Sequence, residues 1–180
     1  MIWNYGTKDT RHKVFISYYH GDDEYYKDQF ERLFGHLFIN KSIALGDIAS
    51  DNSTEYVKRL IQEGYITDSS VVVVLVGPNT WKRKHVDWEI SAGLNKKVGG
   101  YSGLLGLCLP NHPNYSKDKY NADFVPPRLV DNLKSGYAKF FDWTEDATKV
   151  QNWIEEAFRN RIDEVDKINN SREQYKYNRI

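Results

Sequence analysis

Hydrophobic and polar positions follow two rhythms along this chain, one in short continuous apolar runs and the other with apolar residues three and four apart. Lys13–Tyr18 (KVFISY) is a run rich in β-formers and predicts a buried strand. Gly21-Asp22-Asp23-Glu24 follows, with Asp22 placed to cap a helix in which Tyr26, Phe30, Leu33, Phe34 and Leu37 recur at helical spacing. Ser42–Ile48 predicts a second strand, interrupted by Gly46 and Asp47. Ala49–Ser53 is loop chemistry leading to a helix with Tyr56, Val57, Leu60 and Ile61 on one face and Gly64 at its stop. Ser69–Val76 (SSVVVVLV) is apolar on both faces, as the central strand of a parallel sheet must be. Gly77-Pro78-Asn79-Thr80 ends it and opens a helix from Trp81 to Lys97. Leu104–Leu109 predicts another buried strand, Pro110–Pro127 a long polar loop, Arg128–Ser135 one or two helical turns, and Ala138–Trp143 a last short strand. Thr144 then caps a helix with the face Val150, Trp153, Ile154, Ala157, Phe158, Ile162 and Val165. Beyond Asn169 the chain is polar and reads as a frayed tail.

This alternation predicts a flavodoxin-like α/β fold, a three-layer sandwich with a five-stranded parallel sheet and helices on both faces. The expected organisation is an extension over residues 1–12, one domain over 13–168 and a polar tail over 169–180. Ligands of such sheets bind outside the carboxyl ends of the strands. That directs attention to Tyr18–Asp22, Asp47–Ser53, Gly77–Trp81 and the loop after Leu109.

Composition narrows the picture by exclusion. Lys plus Arg number 25 and Asp plus Glu number 25, so the net charge is zero, which argues against a nucleic-acid partner held through its phosphates. The basic runs Lys82-Arg83-Lys84 and Lys96-Lys97 are short and read as solvated helix faces. The longest apolar run, Val71–Val76, falls far short of the roughly 20 residues of a membrane span. With no signal-like apolar block and a single cysteine, the expectation is a cytoplasmic protein with no membrane partner. There is no GxxxxGK[ST] loop and no GxGxxG after a strand. A response-regulator receiver would need an acid at the end of the third strand, where Val76-Gly77-Pro78 stands. Five scattered histidines and one cysteine give no metal-site spacing, so no metal and no resident cofactor are expected. Cys108, inside an apolar strand, reads as structural.

One segment retains chemical interest, Lys84-His85-Val86-Asp87-Trp88-Glu89-Ile90. At about 100° per residue, Val86, Ile90, Gly93 and Leu94 share a stripe, and Glu89 falls at its edge on the side of Lys82 and His85. Two readings are open there, a partly desolvated catalytic carboxylate or a boundary glutamate paired with a lysine of its own helix. The strand end Ser17-Tyr18-Tyr19-His20-Gly21-Asp22-Asp23 is either a ligand mouth or a plain β–α turn. Asp47, Asp51 and Ser53 suit ribose hydroxyls or the cap of the next helix.

These residues carry a resemblance. Val14-Phe15-Ile16-Ser17-Tyr18 with His20 and Asp22-Asp23 resembles the first strand and turn of TIR domains. Val86-Asp87-Trp88-Glu89-Ile90, on the helix after a VVVVLVG strand, resembles the helix bearing the glutamate of NAD-cleaving TIRs. Pro126-Pro127-Arg128-Leu129 through Asn132, Gly136-Tyr137 and Phe141-Asp142-Trp143 resemble the bacterial Thoeris-type TIR subgroup of anti-phage defence. The resemblance implies NAD+ as substrate rather than as bound cofactor, and cleavage at the nicotinamide glycosidic bond to ADP-ribose or a cyclic ADP-ribose-type signal. It implies Glu89 as the catalytic residue. It places Tyr18, Tyr19, His20, Asp47, Ser53, Trp81 and His85 about the substrate, with the loop of Asn111, His112 and Asn114 closing over the site. Its implied partners are further copies of the chain and a separate effector protein reached through the nucleotide signal. One departure stands out: many NAD-cleaving TIRs have Trp four residues before the glutamate, where this chain has His85, and Trp88 directly precedes Glu89. Two other functions fit the same residues, a non-catalytic TIR-like interaction module and a nucleoside deoxyribosyltransferase-like enzyme acting on free nucleosides.

Overall fold

The computed structural model describes residues 10–42 and 64–180. Five strands form one all-parallel sheet in the order β2-β1-β3-β4-β5. They are β1 (His12–Ser17), β2 (Phe38–Asn40), β3 (Val71–Val76), β4 (Gly103–Cys108) and β5 (Lys139–Asp142). The described helices are α1 (His20–Phe34), α2 (Lys84–Gly93), α3 (Pro127–Ser135) and α4 (Ala147–Asp163). This is the flavodoxin-like α/β architecture expected from the sequence.

The central strand shows why the sheet must be covered twice. Every residue of β3 is buried. Because successive side chains of a strand point to opposite faces, Val72, Val74 and Val76 enter a core with Val86 and Ile90 of α2 and Leu129 and Val130 of α3. Val71, Val73 and Leu75 enter the other core, with Phe30 and Phe34 of α1 and Val150, Ile154 and Ala157 of α4. Helix α4 lies so close to β4 that a Cβ at Gly103 would fall on the Ala157 carbonyl, so only glycine fits there.

Several expectations shift. The strand beside β1 is Phe38–Asn40, which a 3-10 turn over Gly35–Leu37 carries straight from α1 into register with His12; the strand expected over Ser42–Ile48 lies outside the described residues except for Ser42. Asp22 does not cap α1: the helix already begins at His20 and its cap residue is Tyr19, while Asp22 accepts from Asn79 Nδ2 at 2.8 Å. The helix expected over Trp81–Lys97 is a 3-10 turn, Thr80–Lys82, followed by α2, the two being separated by the extended residue Arg83. Asp146 rather than Thr144 caps α4, accepting from Thr148 N at 2.9 Å and Lys149 N at 3.2 Å. Lys97 is not merely a solvated charge, since its ammonium donates to the Ile66 carbonyl at 3.2 Å and to Ser102 Oγ. The predicted helix over Tyr56–Gly64 lies outside the described residues except for its last position.

The polar tail is not frayed. From Asn169 it runs back over α3 and α2 as a strap made of hydrogen bonds. Asn132 of α3 pairs with the Asn169 backbone, donating from Nδ2 to its carbonyl and accepting at Oδ1 from its N–H, at 2.8 and 2.9 Å. Arg172 holds Asp131 through Nε and Nη2 at 2.7 and 2.8 Å. Farther on, Tyr175 is 8 % exposed and accepts from Trp88 Nε1 at 2.8 Å. Helix α2 has no side-chain cap of its own at Arg83. Its first residue, Lys84, instead donates its backbone N–H to Asn178 Oδ1 at 2.9 Å, so the tail serves as the missing cap.

Candidate active site

The carboxyl ends of β1 and β3 gather most of the chemistry-bearing side chains singled out in the sequence. Alternation along β1 sends Phe15 to the α2 side of the sheet, and Ser17, two residues on, to the same side. Ser17 Oγ donates a short hydrogen bond to Glu89 Oε2. Glu89 is 1 % exposed and Ser17 wholly buried. The glutamate therefore reaches across to the sheet, and its stripe-edge position turns inward rather than to the surface. A carboxyl group so placed can answer positive charge that develops beside it.

Around this pair the aromatic and imidazole rings stand close together. Tyr18 and His20 have ring centroids 4.3 Å apart, and His20 and His85 5.4 Å. Tyr19 lies 6.5 Å from His85, and the Arg83 guanidinium sits 3.9 Å over the Tyr19 ring. His85 is buried, with Nε2 at 3.0 Å from the Tyr18 carbonyl. The Tyr18 hydroxyl donates to Glu24 Oε2 at 2.8 Å. Burial first, then Glu24, then Glu89 push its ionisation well above the ordinary phenol range, so Tyr18 acts as a hydrogen-bond donor and not as a phenolate.

A second buried carboxyl stands next to these residues. Asp23, in the first turn of α1, is 0 % exposed. Its Oδ2 accepts from Thr80 Oγ1 at 3.2 Å, and the same hydroxyl accepts from Gly77 N at 2.8 Å. Among the described residues, Asp23 Oδ1 has no hydrogen-bond partner. Burial raises its pKa to about 6, against the opposing pull of the Thr80 hydroxyl. The carboxyl lies where a Cβ at Gly77 would be, so glycine after β3 is a condition of this packing.

Of the predicted site residues, Tyr18, Tyr19, His20, His85 and Glu89 thus lie at one strand-end cluster. Trp81 lies in the 3-10 turn after β3, its carbonyl accepting from Tyr175 OH at 3.3 Å. Asp47 and Ser53 lie outside the described residues. In the loop expected to close over the site, Asn111 is exposed while two polar side chains turn inward. His112 and Asn114 are buried, with His112 Nε2 at 2.9 Å from the Phe124 carbonyl and Asn114 Nδ2 donating to the Asn121 carbonyl at 3.0 Å. Polar residues in a long loop satisfied their own backbone there. Sequence reasoning named Ser17 and Asp23 only as parts of the strand-end motif and read Arg83 as part of a solvated basic run. Ser17 had a usable signal, a hydroxyl residue ending an apolar strand on the face of Phe15.

Helix α2 is anchored from behind by a buried ion pair. Arg128 of α3 donates from Nε to Asp87 Oδ1 at 2.8 Å and from Nη2 to Oδ2 at 3.3 Å. Tyr175 N adds a third donor to Asp87 at 2.9 Å, and Asn170 Oδ1 accepts from Arg128 Nη1 at 2.8 Å. The pair fixes the turn of helix two residues before Glu89. Among the described residues, no group of three or more His, Cys, Asp or Glu is arranged to hold a metal ion. No helix among them is long and apolar enough to cross a membrane.

Residues 15–114, more than half of the chain, match the family model described as Thoeris protein ThsB, TIR-like domain. The matched span runs from β1 through β4 and contains Ser17, Asp23, His85 and Glu89, but stops before α3 and β5. No curated protein matches the chain.

Proposed function

Because this chain belongs to the Thoeris ThsB TIR-like family, and is thereby a defence-associated signalling protein, we propose that it makes its signal by cleaving NAD+ at the nicotinamide glycosidic bond. The observation that carries the proposal is the Ser17–Glu89 pair at the carboxyl edge of the sheet. When the bond between nicotinamide and ribose breaks, its electron pair leaves with nicotinamide, which becomes neutral, and positive charge develops on the ribose. Glu89 is the group to stabilise that oxocarbenium-like state, with Ser17 orienting the carboxylate. Attack by water on the anomeric carbon, with loss of a proton, gives ADP-ribose. Attack by the adenine ring of the same molecule gives a cyclic isomer. Tyr18, Tyr19, His20 and His85 form the adjoining wall, with Asp47, Ser53 and Trp81 proposed about the rest of the nucleotide. A separate effector protein reached by the product, and self-association of the chain, complete the proposal.

A second reading is favoured by one observation. Glu89 at 1 % exposure is sealed rather than presented to solvent, as expected of a TIR-like module that only docks partners. Incubation of concentrated protein with NAD+, with products separated by chromatography, distinguishes the two. Release of nicotinamide supports the enzyme, and the accompanying product separates hydrolase from cyclase. Unchanged NAD+ at every protein concentration supports the docking module.

A further inference from the structure

Helix α1 also borders a cavity of about 410 Å³ beyond the carboxyl ends of β4 and β5, on the side of the sheet away from α2. Its walls include Tyr25, Tyr26 and Gln29 of α1, Tyr115 of the loop after β4, and Trp143 and Glu145 after β5. Four aromatic side chains line it, and two of the ring pairs meet at steep angles. Tyr25 and Tyr26 meet at 79° with centroids 5.2 Å apart, and Tyr26 and Trp143 at 67° and 5.5 Å. Rings at steep angles to one another offer π faces and edges in more than one direction.

Charge selects further. Among the described residues, Glu145 is the one carboxylate of the wall, and no lysine, arginine or histidine lines it. The tyrosine hydroxyls are close enough to act on one another: burial, then Tyr25, with Asp23 and Tyr115 behind it, push the Tyr26 hydroxyl above its ordinary range. An anion entering here would meet the Glu145 carboxylate and no cationic side chain among the described residues. The wall is also held under backbone strain. Ser116, next to Tyr115, has φ of 62°, the one positive value outside glycine among the described residues. Its N–H is held by Asp142 Oδ2 at 3.0 Å.

We propose that this cavity is a binding site for a small organic cation with a weakly hydrated charge, of the quaternary ammonium class. The rings supply cation–π attraction on several sides, and Glu145 supplies the counter-charge. The site is separate from Glu89 and stands whether or not the chain cleaves NAD+.

The test is calorimetric titration of the full chain with choline and with its uncharged isostere 3,3-dimethylbutan-1-ol. Saturable choline binding, about tenfold tighter than the isostere, is expected. Tyr25 is 65 % exposed, so Tyr25→Ala leaves the core intact. This variant should weaken choline by about tenfold, with Tyr25→Phe retaining it and Glu145→Gln weakening it. Equal binding of choline and isostere, absence of choline binding, or full choline affinity in Tyr25→Ala overturns the proposal. Binding of an arginine-rich peptide without choline binding also overturns it, in favour of a protein partner.

Discussion

Ser17 occupies the last position of an apolar strand, where a hydroxyl costs burial unless it is used, and its use is the hydrogen bond to Glu89. Ser17→Ala removes that donor while leaving the strand apolar. If Glu89 is the working carboxylate, nicotinamide release by Ser17→Ala should fall about tenfold or more with the thermal midpoint little changed. An unchanged rate would show that the hydroxyl only fills space. Asp23 gives a prediction in pH. The folded chain holds its proton up to about pH 6, against an ordinary value of 3.8. Stability from this group is therefore complete below pH 3.8 and is lost as pH rises to about 6. Relative to Asp23→Asn, the wild type should lose about 2 kcal/mol between pH 4 and pH 7 in urea unfolding. A pH-independent difference would contradict the assignment. The position of Tyr18, Tyr19 and His20 was legible from strand-end logic, and that of His85 and Glu89 from the helix motif after VVVVLV. Asp23 was not, since an acid in a first helical turn reads as solvated. Only the glycine at position 77 makes room for it.

At the scale of elements, the strands of the central sheet were legible because VVVVLV and GLLGLC are buried throughout. The edge strand Phe38–Asn40 was not, because it has three residues and the helical spacing of apolar residues continues through Gly35 to Leu37. The docked tail was equally hidden. Its hold is a set of hydrogen bonds to residues tens of positions away, and such bonds leave no hydrophobic period in the sequence. The Asp87–Arg128 pair joins α2, α3 and that tail in one buried network. Arg128→Ala leaves Asp87 buried without its cation, and should cost about 3–5 kcal/mol by chemical denaturation. A cost below about 1 kcal/mol would mean that water reaches Asp87 and that the pair does not anchor the glutamate helix.

Over the whole molecule, the sheet order sets β1 beside β3, and this adjacency brings the first strand's serine to the glutamate on the helix after β3. The two residues are distant in sequence, and only the parallel crossover makes them neighbours. Fold and family were legible from strand order and motif; the sealing of Glu89 and the aromatic cavity beside α1 were not, because both depend on ring and side-chain placement across elements. The central claim is that Glu89 performs glycosidic cleavage. Its most direct test is nicotinamide release from NAD+ by concentrated wild type and by Glu89→Gln, which keeps the size and the acceptor for Ser17 but removes the charge. Cleavage by Glu89 predicts release by the wild type and a loss of at least about a hundredfold in the variant. Equal release by both proteins would contradict it.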